Sequence, residues 1–297
     1  MTIQKYIKMF SLPEKVIEDS YWNEHLPFAF FLIEVLRPAN YVELGVYKGG
    51  SYNAFCQAVK ELKTGTKCYA IDNWEGDIHH GQYDLSVYNS MAEYQRQNYS
   101  SFSVLLKASF DDALAQFPDG SIDLLHIDGC HTYEAVKHDF ERWLPKMSVR
   151  GAVILHDTNI REGDFGVWKL WGEISARYPS FEFKHGCGLG VLAVGRSVKD
   201  DFRDFLNEAG SNDFIGQLFK ALGRSIIYEL QLKEKDLLIK KKDEEIKHKT
   251  EQLKSIIDSD IWKITMKLSR LGQMIAPPNS LPGRFKKFLA KCLAAKR

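Results

Sequence analysis

The stretch Tyr41-Val-Glu-Leu-Gly-Val-Tyr-Lys-Gly-Gly-Ser51 decides the fold: it indicates a short apolar strand, a glycine-rich turn and the start of a helix. Gly45, Gly49 and Gly50 are placed where a backbone must turn tightly and approach a ligand without a side chain in the way. Only one glycine precedes the gap, so the pattern differs from the pyrophosphate-binding GxGxxG, and it lacks the GK[ST] of a P-loop. The stretch therefore predicts a ligand-binding turn without a pyrophosphate cradle.

Short apolar runs alternate with helical stretches from about residue 40 onward, which favours an α/β fold with a Rossmann-like, doubly wound, mainly parallel sheet. The predicted strands are Tyr41–Gly45, Cys68–Asp72, Ser103–Lys107, Ile122–Asp128, Ala152–Asp157 and a late strand, Gly190–Val194. The predicted helices between them are Ser51–Leu62, Asp111–Phe117, Tyr133–Leu144 and Gly166–Arg177. In such a sheet ligands bind beyond the carboxyl ends of the strands, where the strand order reverses.

Composition limits the class of protein. The 297 residues are 44% apolar, enough for a core, and 40 Lys and Arg nearly balance 39 Asp and Glu. The five cysteines are irregularly spaced with no CxxC pair, which favours a reducing compartment. The N-terminus lacks the apolar region of a signal peptide, and no apolar run reaches the roughly 18 residues that span a bilayer. We expect a cytoplasmic protein and no nucleic-acid partner.

Polar side chains follow several of the predicted strands. Asp128 and Asp157 end neighbouring strands and offer hard oxygen ligands suited to Mg²⁺ or Mn²⁺, or else they cap loops. His131 lies three residues past Asp128, where an imidazole can accept a proton or order the turn. Asp72 ends the second strand, where an acidic group hydrogen-bonds ribose hydroxyls. The strand ends therefore predict a nucleoside-type site beside a site for acid–base or metal chemistry.

Three elements together carry a resemblance to a known family: ExGxxxGxS after the first strand, Ile127-Asp-Gly-Cys-His-Thr-Tyr-Glu134, and His156-Asp-Thr158. They resemble the class I S-adenosylmethionine-dependent methyltransferases, and within these the sugar and small-molecule O-methyltransferases, many of which use a divalent metal. The resemblance covers about residues 38–196. The second and third elements are its specific part, and the glycine pattern is not.

The resemblance implies a role for each matching residue. Gly45, Gly49 and Gly50 would shape the loop under the methionine part of S-adenosylmethionine, and Glu43 and Ser51 would help to hold it. The other implied cofactor contacts are Asp72 at the ribose, Asn73 and Trp74 near the adenosine, and Ser109 at the adenine. Trp74 is equally well explained as a hydrophobic plug beneath the sheet.

The resemblance also implies the catalytic set. Asp128, Asp157 and Asn159 would hold Mg²⁺ or Mn²⁺, and His131 would act as the general base beside Asp128. His156 stands where related metal enzymes often have a further carboxylate, which leaves the third ligand open. The insertion 75–99 is either a lid over the acceptor or an ordinary helical excursion.

The domain organisation follows from changes in composition. We predict a helical lead-in (1–39), with helices starting near Pro13 and over Leu26–Leu36, and a methyltransferase domain over 40–197. The remaining predicted parts are short helices (198–227), a long charged helix (228–258) and a basic amphipathic tail (259–297).

The long helix has Leu232, Ile239, Ile246 and Leu253 seven residues apart, which is half of a coiled-coil stripe and leaves a homo-oligomer and a solvated helix both open. After Asp260 the chain has nine Lys and Arg and no acidic residue. That tail suits an anionic membrane surface, an acidic partner protein or, last, a disordered segment.

The sequence thus predicts a metal-assisted O-methyltransferase, peripheral at the inner face of the membrane, that acts on a sugar hydroxyl of a polysaccharide or glycolipid. The alternatives are a methyltransferase of a soluble small molecule and a non-catalytic scaffold with a degenerate cofactor site.

Overall fold

The computed structural model describes residues 10–17, 20–79, 81–275 and 284. The chain divides into two compact units, residues 1–229 and 230–297. The strands are β1 (Asn40–Leu44), β2 (Lys67–Asp72), β3 (Gly76–Asp77), β4 (Gly81–Gln82), β5 (Ser103–Lys107), β6 (Ile122–Ile127), β7 (Met147–His156), β8 (Ser180–Phe183) and β9 (Leu189–Ala193). The helices are α1 (Leu26–Leu36), α2 (Gly50–Leu62), α3 (Leu85–Asn98), α4 (Phe110–Ala113), α5 (Tyr133–Trp143), α6 (Val167–Ile174), α7 (Asp200–Ser211), α8 (Phe214–Asp258) and α9 (Asp260–Ile275).

One seven-stranded sheet organises the first unit, in the order β5-β2-β1-β6-β7-β9-β8. The first five strands in this order are parallel, and β9 runs antiparallel to both β7 and β8. The chain moves outward from β1 to β2 and β5, then returns to β6 on the other side of β1. The direction of winding therefore reverses between β1 and β6, and a ligand crevice is expected at their carboxyl ends. The predicted Rossmann-like fold is confirmed.

Two features of the sheet differ from the prediction. Strand β8 was not predicted, because it has four residues of which only Phe183 is buried and so shows no apolar run. Strand β7 begins at Met147, five residues before the predicted start, which was missed because Val149 and Arg150 are exposed and interrupt the buried apolar run. The predicted parallel strands and the late antiparallel strand are otherwise present within a few residues.

The N-terminal lead-in is helical only in part. The predicted helix near Pro13 is wrong for residues 11–17, which lie outside any helix. The buried Gln57 side chain of α2 fixes this segment: Nε2 donates to the Leu12 carbonyl at 3.0 Å, and Oε1 accepts from the Glu14 amide at 2.7 Å. Leu26–Leu36 does form a helix, and every residue of it except Glu34 is buried.

Helices that follow the sheet complete the core of the first unit. Phe31 of α1 packs against Phe205 of α7 with ring centroids 4.7 Å apart, and Phe28 packs against Phe219 of α8 at 5.3 Å. The helix α8 runs without a break through residues 227 and 228, where the sequence predicts a boundary between the short helices and the long charged helix. The predicted long charged helix is therefore present, and it starts earlier than expected.

The far end of α8 exposes Leu232, Ile239, Ile246 and Leu253. A coiled coil and an oligomer remain predictions. Of the predicted basic tail, the structure describes α9, whereas Pro277, Pro278 and Phe285–Arg297 lie outside the described residues. Within the described part of the chain, no helix combines the length and the apolar character needed to cross a membrane.

Candidate active site

The turn after β1 depends on Gly45. Its φ is +83°, a left-handed conformation that strains any residue with a Cβ. A Cβ at Gly45 would lie 2.1 Å from the carbonyl oxygen of Asp128, so no side chain fits between the two strand ends. Gly49 also has a positive φ, and it caps the N-terminus of α2. The turn is thus pressed against the end of β6, with its backbone facing the crevice.

Asp72, at the end of β2, organises this turn. Its Oδ2 accepts from the amides of Val46 at 2.8 Å and Tyr47 at 2.9 Å, and its Oδ1 accepts from the Trp74 amide at 2.7 Å. A carboxylate has about four lone-pair positions, so three are used by the backbone. Asp72 still lines the cavity, and one acceptor position is left for a ribose hydroxyl.

Glu43 is buried behind Ser51, which lines the cavity. Its side chain is 0% exposed, accepts from Ser51 Oγ at 2.6 Å and from the Tyr41 hydroxyl, and lies 3.2 Å from His126 Nδ1. Ser51 lines the cavity and Glu43 does not. The sequence-based expectation of a direct cofactor contact therefore needs correction: Glu43 reaches the cavity only through Ser51.

The remaining predicted cofactor residues divide into two groups. Asn73 and Ser109 line the cavity, and Ser109 also caps α4 by accepting from the Asp112 amide at 3.1 Å. Trp74 is 4% exposed and donates from Nε1 to the Tyr47 carbonyl at 2.9 Å, so its burial fits the hydrophobic plug rather than adenine stacking. Gly49 is buried on the side that faces α3 and is not among the lining residues.

Asp128, His131 and Asp157 meet beyond the carboxyl ends of β6 and β7. His131 Nε2 lies 2.9 Å from Asp157 Oδ2 and 3.7 Å from Asp128 Oδ1. One ligand atom from each of the three residues can be chosen so that all lie within 4.8 Å of one another. Topology explains the meeting, because β6 and β7 are neighbours and the turns after them open on the same edge. The predicted pair of carboxylates and the predicted histidine are therefore brought together.

Electrostatics hold His131 in its charged form. Burial favours the neutral ring, but hydrogen bonds and negative charge from Asp128 and Asp157 outweigh it and raise the pKa of His131 to about 10. Burial likewise opposes ionisation of Asp157, yet the charge of His156 and hydrogen bonds from both histidines lower the pKa of Asp157 to about 2. At neutral pH the group consists of two carboxylates and a protonated ring.

His156 contacts the carboxylates of both Asp128 and Asp157. Its Nδ1 lies 3.1 Å from Asp157 Oδ1 and 3.4 Å from Asp128 Oδ1, and its Nε2 lies 3.0 Å from the Gly186 carbonyl. Burial lowers the pKa of His156, but the two carboxylates overcome this and hold the pKa well above its usual range. Because all of these neighbours accept hydrogen bonds, the ring donates from both nitrogens. His156 thus fixes the positions of both carboxylates.

Asn159 is not brought into this group. Asp157 has a φ of +61°, and the chain turns away after it. The Asn159 amide group donates to the Lys184 carbonyl at 3.1 Å, its backbone amide donates to the Cys187 carbonyl at 2.9 Å, and the residue is exposed. In this structure His131, and not Asn159, contacts the two carboxylates, and a third ligand of a cation stays a prediction.

The Gly45 turn and the Asp128–His131–Asp157 group line one cavity of about 600 Å³, a volume typical of ligand sites.

Sequence reasoning missed the N-terminal segment, which contributes Ile17, Ser20, Tyr21 and Trp22 to the lining. No local pattern signals this contribution, since these residues meet the site only through tertiary contacts. Other lining residues that were not predicted are Val46, Tyr47, Lys48, Gly76, Tyr83, Ala108, Phe110, Gly129, Cys130, His156, Ile160 and Phe165.

The insertion after β2 reaches over the Asp128–His131–Asp157 group. It forms the hairpin β3–β4 followed by α3, whose N-cap Asp84 accepts from the Ser86 amide. His79, at the tip of the hairpin, lies 2.8 Å from Asp164 on the opposite loop, and its ring centroid is 5.3 Å from that of His131. The insertion thus contains the expected helix, and the tip of its hairpin contacts the His131 ring, whereas a lid over the acceptor stays a prediction.

Comparison with known proteins gives the class of the domain. Residues 42–158 match a family model described as a methyltransferase domain. Residues 42–158 are thus similar to a methyltransferase domain. The match spans the Gly45 turn, Asp72, Asp128, His131 and Asp157, so these residues of the cavity lie within the matched segment.

A protein of known sequence is similar to more than half of this chain. An uncharacterized protein of Sinorhizobium fredii is 45% identical over 181 residues, which are 61% of this chain, and the match spans 20% of that protein's length. Among solved structures, a methyltransferase from Geobacter sulfurreducens shares 15% identity over 61% of this chain and 82% of its own, with a TM-score of 0.45. The O-methyltransferase TomG from Streptomyces achromogenes, solved with SAM, shares 14% identity over 65% and 89%, with a TM-score of 0.44.

Proposed function

We propose that the chain is an S-adenosylmethionine-dependent O-methyltransferase that methylates a sugar hydroxyl of a polysaccharide or glycolipid. The observation that carries this proposal is that two complementary walls share one cavity. The turn after β1, whose amides donate hydrogen bonds to Asp72, suits the methionine and ribose of the cofactor. The Asp128–His131–Asp157 group, at the ends of β6 and β7, suits a hydroxyl that must lose its proton.

The reaction sets clear requirements. The acceptor oxygen forms a bond to the methyl carbon while the bond from that carbon to sulfur breaks, and the electron pair stays on sulfur to give S-adenosylhomocysteine. Oxygen, methyl and sulfur must be in line, which the cavity can enforce by holding both substrates. The pKa of a sugar hydroxyl lies far above neutral pH, so its proton needs a base or its oxygen needs a cation.

The residues of the group fit a divalent cation. Asp128 and Asp157 supply the hard carboxylate oxygens that Mg²⁺ or Mn²⁺ prefers, and a nitrogen of His131 lies within 4.8 Å of them, close enough for its charge to respond to the cation. His156 orients both carboxylates by donating to them. A bound cation would supply Lewis-acid stabilisation of the developing alkoxide.

His131 is the proposed proton acceptor, provided that the charges of Asp128 and Asp157 are compensated. With both carboxylate charges uncompensated, the ring keeps its proton well above neutral pH. Compensation of those charges removes the support for the imidazolium, and the neutral ring can then accept the hydroxyl proton. Asp128 and Asp157 thus set when His131 acts as a base.

The rim of the cavity supports a sugar acceptor. Tyr21, Tyr47 and Tyr83 line it together with the amide of Asn73. Flat aromatic faces pack against the C–H faces of sugar rings, and amides exchange hydrogen bonds with hydroxyls. Polysaccharides and glycolipids are built at membranes, so the proposed place of action is the cytoplasmic face of the membrane.

Labelled methyl transfer tests the proposal. The protein is incubated with methyl-labelled S-adenosylmethionine and with either a lipid-linked glycan fraction or a soluble small-molecule fraction. Label in the glycan fraction that disappears with Asp128→Ala is the expected result. Label only in the soluble fraction would favour a small-molecule methyltransferase, and label in neither fraction with any cation would contradict methyl transfer to these classes.

A further inference from the structure

The helix α9 exposes a row of large aliphatic side chains. Ile261, Ile264, Leu268 and Leu271 follow one another at intervals of three, four and three residues, so they share one face of the helix. Their exposed fractions are 79%, 57%, 63% and 58%. Single exposed aliphatics are common on proteins, but a contiguous row marks a surface that meets a partner.

Positive charge borders this row. Lys263, Lys267 and Arg270 repeat at intervals of four and three residues on the neighbouring face of α9. Asp260, at the first turn, lies 3.6 Å from Lys263 and is the last acidic residue of the sequence. Within the residues that the structure describes, neither Lys267 nor Arg270 is paired with a carboxylate. The helix therefore presents an apolar stripe edged by cations.

The preceding part of α8 provides a contrast within the same chain. Residues 228–258 also expose aliphatic side chains, but they contain eight Lys and eight Asp or Glu. From α9 onward the sequence has nine Lys and Arg and only Asp260 as an acid. The charge changes from balanced to predominantly positive at the start of α9, so we expect α9 to attract an anionic partner.

We propose that α9 binds the surface of an anionic lipid membrane, with Ile264 and Leu268 among the acyl chains and Lys267 and Arg270 at the headgroups. Amphipathic helices with basic borders bind in this way through apolar burial and attraction to acidic lipids. Nucleic acid is the poorer match, because it is bound through phosphates and base stacking and leaves an aliphatic stripe uncovered. A second copy of α9 would bring like charges together. The binding does not depend on the methyl transfer proposed above.

Vesicle co-sedimentation of the full chain tests this surface. Vesicles of phosphatidylcholine alone are compared with vesicles that also contain phosphatidylserine. We expect binding to the anionic vesicles, release by high salt because the attraction is screened, and little binding to the neutral vesicles. Leu268→Glu should reduce the bound fraction at least tenfold, and Lys267→Gln with Arg270→Gln should weaken its dependence on phosphatidylserine.

Ile246→Glu on α8 is the matched control. Ile246 is 62% exposed, much like Leu268, but it lies in the charge-balanced segment, so this variant should bind vesicles like the unaltered chain. Equal binding by the Leu268→Glu variant, or failure of the unaltered chain to bind anionic vesicles, would overturn the proposal. In the second case, a dimer that Leu268→Glu dissociates in sedimentation would identify a second copy as the occupant. Circular dichroism confirms that each variant is folded.

Discussion

His131 Nε2 lies 2.9 Å from Asp157 Oδ2, with Asp128 on its other side. Since the pKa of His131 is raised to about 10, we expect the ring to stay protonated at pH 8 in the cation-free protein. The ordinary pKa of about 6.5 applies when the chain is unfolded. The pair therefore stabilises the fold fully below that value and loses its contribution as pH rises through about 10.

An NMR titration of the His131 ring measures this pKa directly. Asp157→Asn removes one of the two charges and should shift the midpoint downward. A midpoint near that of a free histidine in the unaltered protein would contradict the arrangement.

Cation binding should compete with this proton. If Asp128 and Asp157 hold Mn²⁺ or Mg²⁺, their charges no longer stabilise the protonated His131 ring, so binding at pH 8 should release a proton, and affinity should fall by about tenfold for each unit of pH below the ring's pKa. Calorimetry in two buffers with different ionisation enthalpies measures the released proton. Asp128→Asn should lose binding, and Asn159→Ala should retain it. Binding without proton release would contradict the coupling between the cation and the His131 proton.

Gly45 should be intolerant of any side chain. Gly45→Ala adds a Cβ 2.1 Å from the Asp128 carbonyl, in addition to the strain of a positive φ. Gly81→Ala is the matched control, because Gly81 has a φ of +72° and nothing within 4 Å of the added atom. We expect Gly81→Ala to lower the free energy of unfolding by about 1 kcal/mol and Gly45→Ala by about 3 kcal/mol or more. Equal losses in urea denaturation would show that the close approach is not limiting.

The contact between His79 and Asp164 should matter for the acceptor rather than for the cofactor. His79→Ala removes the contact that joins the β3–β4 hairpin to the opposite loop, so the KM for the acceptor should rise several-fold. Asp164→Ala removes the same contact from the other side and should have the same effect. The affinity for S-adenosylmethionine should not change, and a matching loss of that affinity in both variants would argue against a cover over the acceptor.

The sequence predicts the fold and the meeting of Asp128, His131 and Asp157 for one physical reason. Parallel strands buried on both faces appear as apolar runs, and their carboxyl ends must share one edge of the sheet. Residues placed immediately after such runs are therefore brought together by topology alone.

Other parts of the site depend on contacts that no local pattern encodes. Tyr21 and Trp22 reach the cavity because Gln57 of α2 fixes the segment before them. Glu43 is turned into the core, where Tyr41 and His126 surround it, and the turn at Asp157 directs Asn159 to Lys184. In each case the direction of a side chain is decided by packing across the fold, not by spacing along the chain.

Calorimetric titration of the full chain with S-adenosylmethionine tests the central claim most directly. We predict saturable one-to-one binding that Asp128→Ala retains, because the Asp128 carboxylate is engaged with His131 and His156 and not with the Gly45 turn. Absence of binding up to millimolar cofactor by the folded protein would contradict the proposed function.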